Sequence, residues 1–148
     1  MPNAEINTMA AAKTFAPPIR VKHIDHVTIV VQDLDRSRDF YVGVLGMREV
    51  ERPGFSFPGL WFQAGPTQVH LILEHSESGP SGHSIAAEAS ISRTRHFAFE
   101  VADALVAQQS LVELGVPIVA GLKSRPDGPT QLYVRDPDGH LVELFSLA

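Results

Sequence analysis

Apolar residues along this chain follow two patterns, short β-branched runs and segments with helical spacing. Residues 24–31 are rich in β-branched side chains and predict a strand. Asp33 or Asp35 then begins a predicted helix, whose apolar positions recur at helical spacing until Gly46 ends it. Three further strands are predicted at residues 47–50, 60–63 and 68–74, and a Pro-Gly and a Gly-Pro turn separate them.

The second half of the chain repeats this order. Residues 95–101 predict a strand, Asp103 begins a helix and Gly115 ends it. Three predicted strands follow, at residues 116–120, 131–134 and 141–145. Each half therefore has the order β-α-β-β-β, and neither is large enough to bury much surface alone. We expect an α+β fold in which the two βαβββ modules pack together as a curved mixed sheet.

Local composition predicts the boundaries between the modules. A stretch rich in Ser, Gly and Pro separates the repeats and predicts a linker, with a weak helical pattern near residues 85–89. The expected units are a flexible N-terminal arm at 1–20, a first module at 21–75, a linker at 76–93 and a second module at 94–148. Together the modules form one domain, at residues 22–146.

Charge and cysteine content exclude several classes of function. The 148 residues carry a formal net charge of −5 and no basic block, so nucleic-acid binding is not expected. The apolar runs are too short to span a bilayer, and residues 1–20 lack the pattern of a secretory signal. A cytoplasmic protein is therefore expected. There are no cysteines, so any metal must be held by nitrogen and oxygen ligands.

Four residues of metal-binding types occupy equivalent strands of the two repeats. His26 and His96 lie on the first strand of each half, and His70 and Glu143 lie on the last. If their strand faces meet on one concave surface, the four side chains converge on one divalent metal with about two open positions. Imidazole and carboxylate donors suit Zn²⁺, Ni²⁺, Mn²⁺, Co²⁺ or Fe²⁺ better than Ca²⁺.

Structural roles compete with this interpretation. A single histidine in an apolar strand is more often a hydrogen-bonded core residue, and Glu143 could pair with Arg135 or Arg95. The repeat favours the metal interpretation, because all four residues fall at equivalent positions. The remaining histidines lack that symmetry and are predicted to lie at the surface: His23, His75, His83 and His140.

At these residues the sequence resembles the vicinal oxygen chelate superfamily, which includes glyoxalases, bleomycin-resistance proteins and extradiol dioxygenases. The resemblance covers about residues 22–146. Its segments are HVTIVV at 26–31, FY at 40–41 with LGM at 45–47, VHLI at 69–72, HFAFEV at 96–101 and DPDGHLVEL at 136–144. It implies paired βαβββ modules, usually in a homodimer, and a divalent metal cupped by the sheet.

The resemblance also implies a function. The superfamily's ligand positions fall on His26, His70, His96 and Glu143, a set resembling the glyoxalase, epimerase and thiol-transferase branches. It implies a metal-dependent enzyme that chelates vicinal oxygens of a small substrate and stabilises an enediolate or oxyanion. Bacterial glyoxalase I enzymes carry an Arg and an Asn that meet glutathione. Here those positions hold Val30 and Glu74, which argues against lactoylglutathione lyase activity.

Other residues are candidates for catalysis and binding. Glu100 and Glu74 share strand faces with the candidate ligands, and either could act as an acid or base if burial raised its pKa. Tyr133 and Arg135 are candidate substrate-binding residues.

Two alternative functions stay open. One is a metal-free protein that binds or sequesters a small molecule such as an antibiotic. The other is an Fe²⁺ ring-cleaving dioxygenase, with His26, His96 and Glu143 as ligands.

Overall fold

The computed structural model describes residues 16–82 and 91–147. The first module contains β1 (His26–Val31), α1 (Leu34–Arg38), a π-helical segment (Asp39–Val44), β2 (Arg48–Val50), β3 (Gly59–Ala64) and β4 (Thr67–Leu73). The second contains a 3₁₀ turn (Ile91–Arg93), β5 (Phe97–Glu100), α2 (Ala104–Glu113), β6 (Ile118–Ser124), β7 (Thr130–Arg135) and β8 (Leu141–Ser146). No helix in the described ranges is long and apolar enough to cross a membrane.

The strands form two four-stranded mixed sheets with the same topology. Their orders are β1-β4-β3-β2 and β5-β8-β7-β6. In each sheet the first and last strands of the module pair in parallel, and the other neighbours are antiparallel. The predicted α+β fold of two βαβββ modules is therefore confirmed. Of the predicted arm, residues 1–15 lie outside the described residues, as does the helical pattern at 85–89.

One face of each sheet forms the core. Val31, Phe62 and Leu71 of the first sheet are fully buried, as are Leu132 and Val142 of the second. These side chains belong to one apolar cluster that also takes in residues of both helical segments. In each sheet, strand alternation places the candidate ligands on the face that does not form the core.

The two helical segments begin alike and differ in length. Asp33 and Asp103 each accept hydrogen bonds from two backbone N–H groups of the first turn. In the first module the helix widens into a π-helix, where the Leu45 N–H donates to the Phe40 carbonyl. A π-helical turn takes in one extra residue. This explains why Gly46 is one residue farther from His26 than Gly115 is from His96.

The turn between β7 and β8 joins the modules. The Tyr41 hydroxyl donates to Asp136 Oδ2 over 2.8 Å, and the Gln32 N–H donates to Asp138 Oδ1 over 2.9 Å. Burial raises the pKa of both Asp136 and Tyr41. His140, which we expected at the surface, is only 7% exposed, and its Nε2 lies 3.3 Å from the Val30 carbonyl. The surface prediction for His140 is wrong, because its turn packs against β1 instead of projecting into water.

Candidate functional site

In the first module two histidines are stacked on adjacent strands. His70 is paired with Thr28 in the parallel register of β1 and β4, which puts it on the same face as His26. The two ring centroids are 4.0 Å apart. Trp61 pairs with His70 across β3 and stacks on the other side of its ring, also at 4.0 Å. His70 is thus sandwiched between two aromatic rings. We call His26 and His70 the first half-site.

The second module has the equivalent arrangement with different chemistry. Glu143 is paired with Ala98 as His70 is with Thr28, and with Tyr133 as His70 is with Trp61. The Tyr133 hydroxyl donates to Glu143 Oε1 over 2.7 Å, and the Tyr133 ring contacts His96 edge-on at 5.4 Å. We call His96 and Glu143 the second half-site. Both residues line a pocket of about 390 Å³, together with Gln131, Tyr133, Lys123 and Arg125.

Hydrogen bonds fix which nitrogen of each first-strand histidine is free. His26 Nδ1 lies 2.8 Å from Asp25 Oδ2, and His96 Nδ1 lies 2.7 Å from the Thr94 carbonyl oxygen. A carbonyl oxygen and an ionised carboxylate can only accept a hydrogen bond. Each Nδ1 must therefore carry the proton. In the neutral rings Nε2 then keeps its lone pair. Such acceptors behind metal-binding histidines are a recurrent feature of metal sites.

A chain of glutamines holds His70. The Gln63 amide donates to the Gly65 carbonyl over 2.6 Å, and Gln68 donates to Gln63 Oε1 over 2.8 Å. The Gln68 oxygen then faces His70 Nε2 at 2.8 Å. Because the chain is anchored on a carbonyl, its direction requires His70 Nε2 to donate. Nδ1 is the nitrogen of His70 that keeps a free lone pair.

The surroundings keep His70 neutral and Tyr133 protonated. Burial lowers the pKa of His70, and the nearby charges of His26 and Arg52 add to that effect, partly offset by Asp25. Burial, followed by the hydrogen bond to Glu143, raises the pKa of Tyr133 to about 12. At neutral pH His70 therefore offers a neutral nitrogen, and Tyr133 is a permanent donor to Glu143.

Glu143 is 5% exposed, so its charge needs partners. The expected alternatives were Arg135 and Arg95. Tyr133 and Arg125 occupy that role instead, with Arg125 Nη1 4.0 Å from Glu143 Oε2. Arg125 is shared, because its guanidinium also binds Asp127 at 2.6 Å. Glu143 is thus only partly neutralised by the protein.

The two half-sites remain separate within one chain. Over residues 16–82 and 91–147, no group of three His, Asp or Glu side chains is placed to hold one metal ion. Each half-site offers two donors, whereas a metal site with an open position has three or more protein ligands. The donor types fit a divalent metal, but the two pairs must be brought together to hold one.

Comparison with known proteins decides the family. Residues 23–144 match the sequence profile of the Glyoxalase/Bleomycin resistance protein/Dioxygenase superfamily. The chain belongs to this superfamily. It is 31% identical over 132 residues to the glyoxalase domain-containing protein RDO1 of Mycosarcoma maydis, covering 86% of this chain and 70% of that protein.

Two further relatives support the superfamily assignment. The chain is 26% identical over 130 residues to Glyoxylase I 4 of Arabidopsis thaliana, covering 86% of this chain and 72% of the relative. The solved structure of a glyoxalase family protein from Bacillus anthracis superposes with a TM-score of 0.69 at 25% identity. That match covers 89% of this chain and all of the other.

Three candidate residues of this superfamily member lie away from the half-sites or are already engaged. Glu74 is exposed, and hydrogen bonds from Ser81 lower its pKa, so the expected rise by burial does not occur. Glu100 is also exposed, and lines a groove of about 930 Å³ along the β5 edge, which His96 borders as well. Arg135 donates to the Gly139 carbonyl at 3.4 Å. Of the two predicted substrate-binding residues, Tyr133 contacts candidate ligands, whereas Arg135 contacts a backbone carbonyl.

Sequence reasoning missed three residues around the first half-site. Asp25 directly precedes His26, and Gln68 is two residues before His70, so strand alternation could have found the latter. Arg52 lies between β2 and β3, and its charge acts on His70. It follows no periodic pattern, and only the folded segment brings it near.

Proposed function

We propose that this superfamily member is a metal-dependent enzyme of the glyoxalase-like type, which chelates adjacent oxygens of a small substrate. The reaction class is isomerisation, epimerisation or lyase chemistry through an enediolate or oxyanion. The observation that carries the proposal is the equivalence of His26 with His96 and of His70 with Glu143 in two sheets of identical topology.

We further propose that a second copy of the chain completes the metal centre. His26 begins β1 and His96 directly precedes β5, the outermost strands of their sheets, where another chain can approach. The residues leading to β1 expose large apolar side chains, namely Ile19, Val21 and Ile24. Exposed apolar groups that cluster in this way are typical of protein interfaces. A symmetric dimer would bring the first half-site of each copy to the second half-site of its partner.

The ligands of this centre would be His26, His70, His96 and Glu143. When bound, a divalent ion polarises the oxygens of a chelated substrate and lowers the energy of negative charge on them. Tyr133 keeps Glu143 oriented, while Asp25 and the Thr94 carbonyl hold the two first-strand imidazoles with Nε2 free. Zn, Ni, Mn, Co and Fe all suit these donors.

The test is metal content after purification without chelators. We expect about one ion per chain, a loss of most of it in His26→Ala and Glu143→Gln, and wild-type content in His23→Ala. His23 is the matched control because it is exposed and three residues from His26. Unchanged metal in both ligand variants would overturn the proposal. Wild-type protein without stoichiometric metal would favour the metal-free binding function.

Enediolate chemistry has its own measurement. For a small hydroxy-ketone substrate in D₂O, NMR should show deuterium entering the carbon next to the carbonyl, and Glu143→Gln should stop it.

A ring-cleaving dioxygenase is the second candidate function, and the surroundings of His70 favour it. The ring is sandwiched between His26 and Trp61, and Gln68 occupies its Nε2. His70 could then hold a proton while His26, His96 and Glu143 form the two-histidine, one-carboxylate set that suits Fe²⁺. Oxygen uptake with catechols by iron-loaded protein would favour this function. Deuterium exchange without oxygen uptake would favour the first.

A further inference from the structure

An arginine packed against two aromatic rings lies beside the first half-site. Arg52 belongs to the segment joining β2 and β3, and its Cζ lies 4.7 Å from the ring centroid of Phe55 and 5.0 Å from that of Phe57. Both distances are within the range of cation–π attraction. The two rings therefore fix a guanidinium, which stays charged at any physiological pH.

A glycine places this guanidinium over the half-site face. Gly59 pairs with Ile72, so a Cβ there would point to the same face as the side chains of Trp61 and His70. That Cβ would lie 3.0 Å from both Cζ and Nε of Arg52. The same Cβ would lie closer still to the Leu71 carbonyl oxygen, so the absence of a side chain at Gly59 leaves room for the neighbouring strand as well as for the guanidinium.

A continuous row of rings connects Arg52 to the candidate ligands. Phe55 lies 6.1 Å from Trp61, Trp61 lies 4.0 Å from His70, and His70 lies 4.0 Å from His26. The positive charge and the half-site thus stand at two ends of one aromatic surface.

Arg52 forms no ion pair within the described part of the chain. Arg38 lies 2.7 Å from Asp35 and also binds Glu49, and Arg125 binds Asp127. No Asp or Glu of residues 16–82 or 91–147 lies within 4.0 Å of the Arg52 guanidinium, and its buried Nε has no hydrogen-bond partner there. A guanidinium held rigid without a counter-charge is suited to an external oxyanion.

We propose that Arg52 determines specificity by binding an oxyanion of the substrate, whose apolar or aromatic body lies on the surface formed by Phe55 and Trp61. The substrate class is then a small acid with an apolar body. This deepens the proposed function and rests on it for the role of the other end of the molecule, which faces the half-site. Binding of the acid group itself requires no metal.

The chain contains one tryptophan, which makes the test direct. Fluorescence of Trp61 in chelator-treated full-length protein would be titrated with phenylacetate, phenylphosphonate and phenylacetamide. We expect the acids to bind about tenfold or more tightly than the neutral amide, since a bidentate charge-assisted contact is lost in the amide. Tighter binding of phenylacetate would identify a carboxylate and tighter binding of phenylphosphonate a phosphonate-type group. Equal binding of acid and amide would overturn the proposal.

Variants separate Arg52 from general charge effects. Arg52→Gln should lower affinity for the acids about tenfold and abolish their advantage over the amide, whereas Arg36→Gln, on the exposed side of α1, should not. An unchanged preference in folded Arg52→Gln would contradict the role. If that variant does not fold, the wild-type comparison still decides, and Arg52→Lys should keep the preference with weaker binding. Metal content of Arg52→Gln should equal that of wild type. A failure of the metal proposal would appear in the metal content, whereas a failure of the Arg52 proposal would appear in the fluorescence titration.

Discussion

The two half-sites occupy the same positions in the same topology and differ in what surrounds them. His70 faces Trp61 and is stacked between rings, whereas Glu143 faces Tyr133 and is bound by its hydroxyl. The scaffold thus determines where donors lie, and the neighbouring strand determines their chemistry. The first module supplies two imidazoles, and the second supplies an imidazole and a carboxyl group. Neither pair alone has the ligand number that a catalytic metal needs.

The largest expected effect follows from that difference in charge. Glu143→Gln removes the one anionic ligand and should weaken metal binding about a hundredfold, whereas His70→Gln, at the equivalent position, should cost about tenfold. Metal affinity would be measured by competition with a chromophoric chelator. Equal losses would mean that the two positions are not chemically distinct. No loss in either would remove both from the ligand set.

The hydrogen-bond acceptors behind the two first-strand histidines differ, because only one of them can be removed by substitution. His26 is held by the side chain of Asp25, and His96 by a backbone carbonyl. Asp25→Asn keeps the shape but weakens the acceptor, and should lower metal affinity about tenfold. The same chelator competition checks this, with Asp35→Asn as the exposed control. Wild-type affinity in Asp25→Asn would show that His26 needs no such support.

The buried faces of the two helical segments differ in how they contact the other module. Tyr41 and Leu111 are equivalent buried positions, but only Tyr41 reaches the other module, through Asp136. Tyr41→Phe leaves the Asp136 carboxyl with one buried oxygen unpaired, and should lower the free energy of unfolding by about 1–3 kcal/mol. Urea unfolding of metal-free protein measures this. A change below about 0.5 kcal/mol would mean that the hydrogen bond does not stabilise module docking.

The smallest expected effect concerns Tyr133. Its pKa is raised to about 12, chiefly by burial and then by Glu143. A raised phenol pKa stabilises the fold below pH 10, and this contribution is lost as the pH rises towards 12. Ultraviolet titration should therefore find neither tyrosine ionising with its ordinary pKa of 10. Glu143→Gln should bring one transition partway down towards 10. A wild-type transition at 10 would contradict the assigned burial of one ring.

The sequence predicted the repeat and the strand faces well, because alternation and helix caps are local signals. Asp103 and both helix-ending glycines follow directly from it, and Asp33 is one of two caps that it predicts, the other being Asp35. It also predicted one concave surface gathering four donors; over residues 16–82 and 91–147 of a single chain, no three of them are placed to hold one ion. Whether two sheets face one another depends on packing between modules, and no local pattern encodes it. The partners of His26 and His70 and the position of Arg52 likewise depend on contacts made only after folding.

The most direct test of a metal centre shared between two copies is subunit complementation. Metal-depleted His26→Ala and Glu143→Gln proteins would be mixed, exchanged and reloaded with metal. In a mixed dimer one site carries both defects and the other carries none. The mixture should therefore recover about a quarter of wild-type metal content at full exchange, although each parent binds almost none. No recovery despite verified exchange would contradict the account, since sites formed within one chain would each keep a defect.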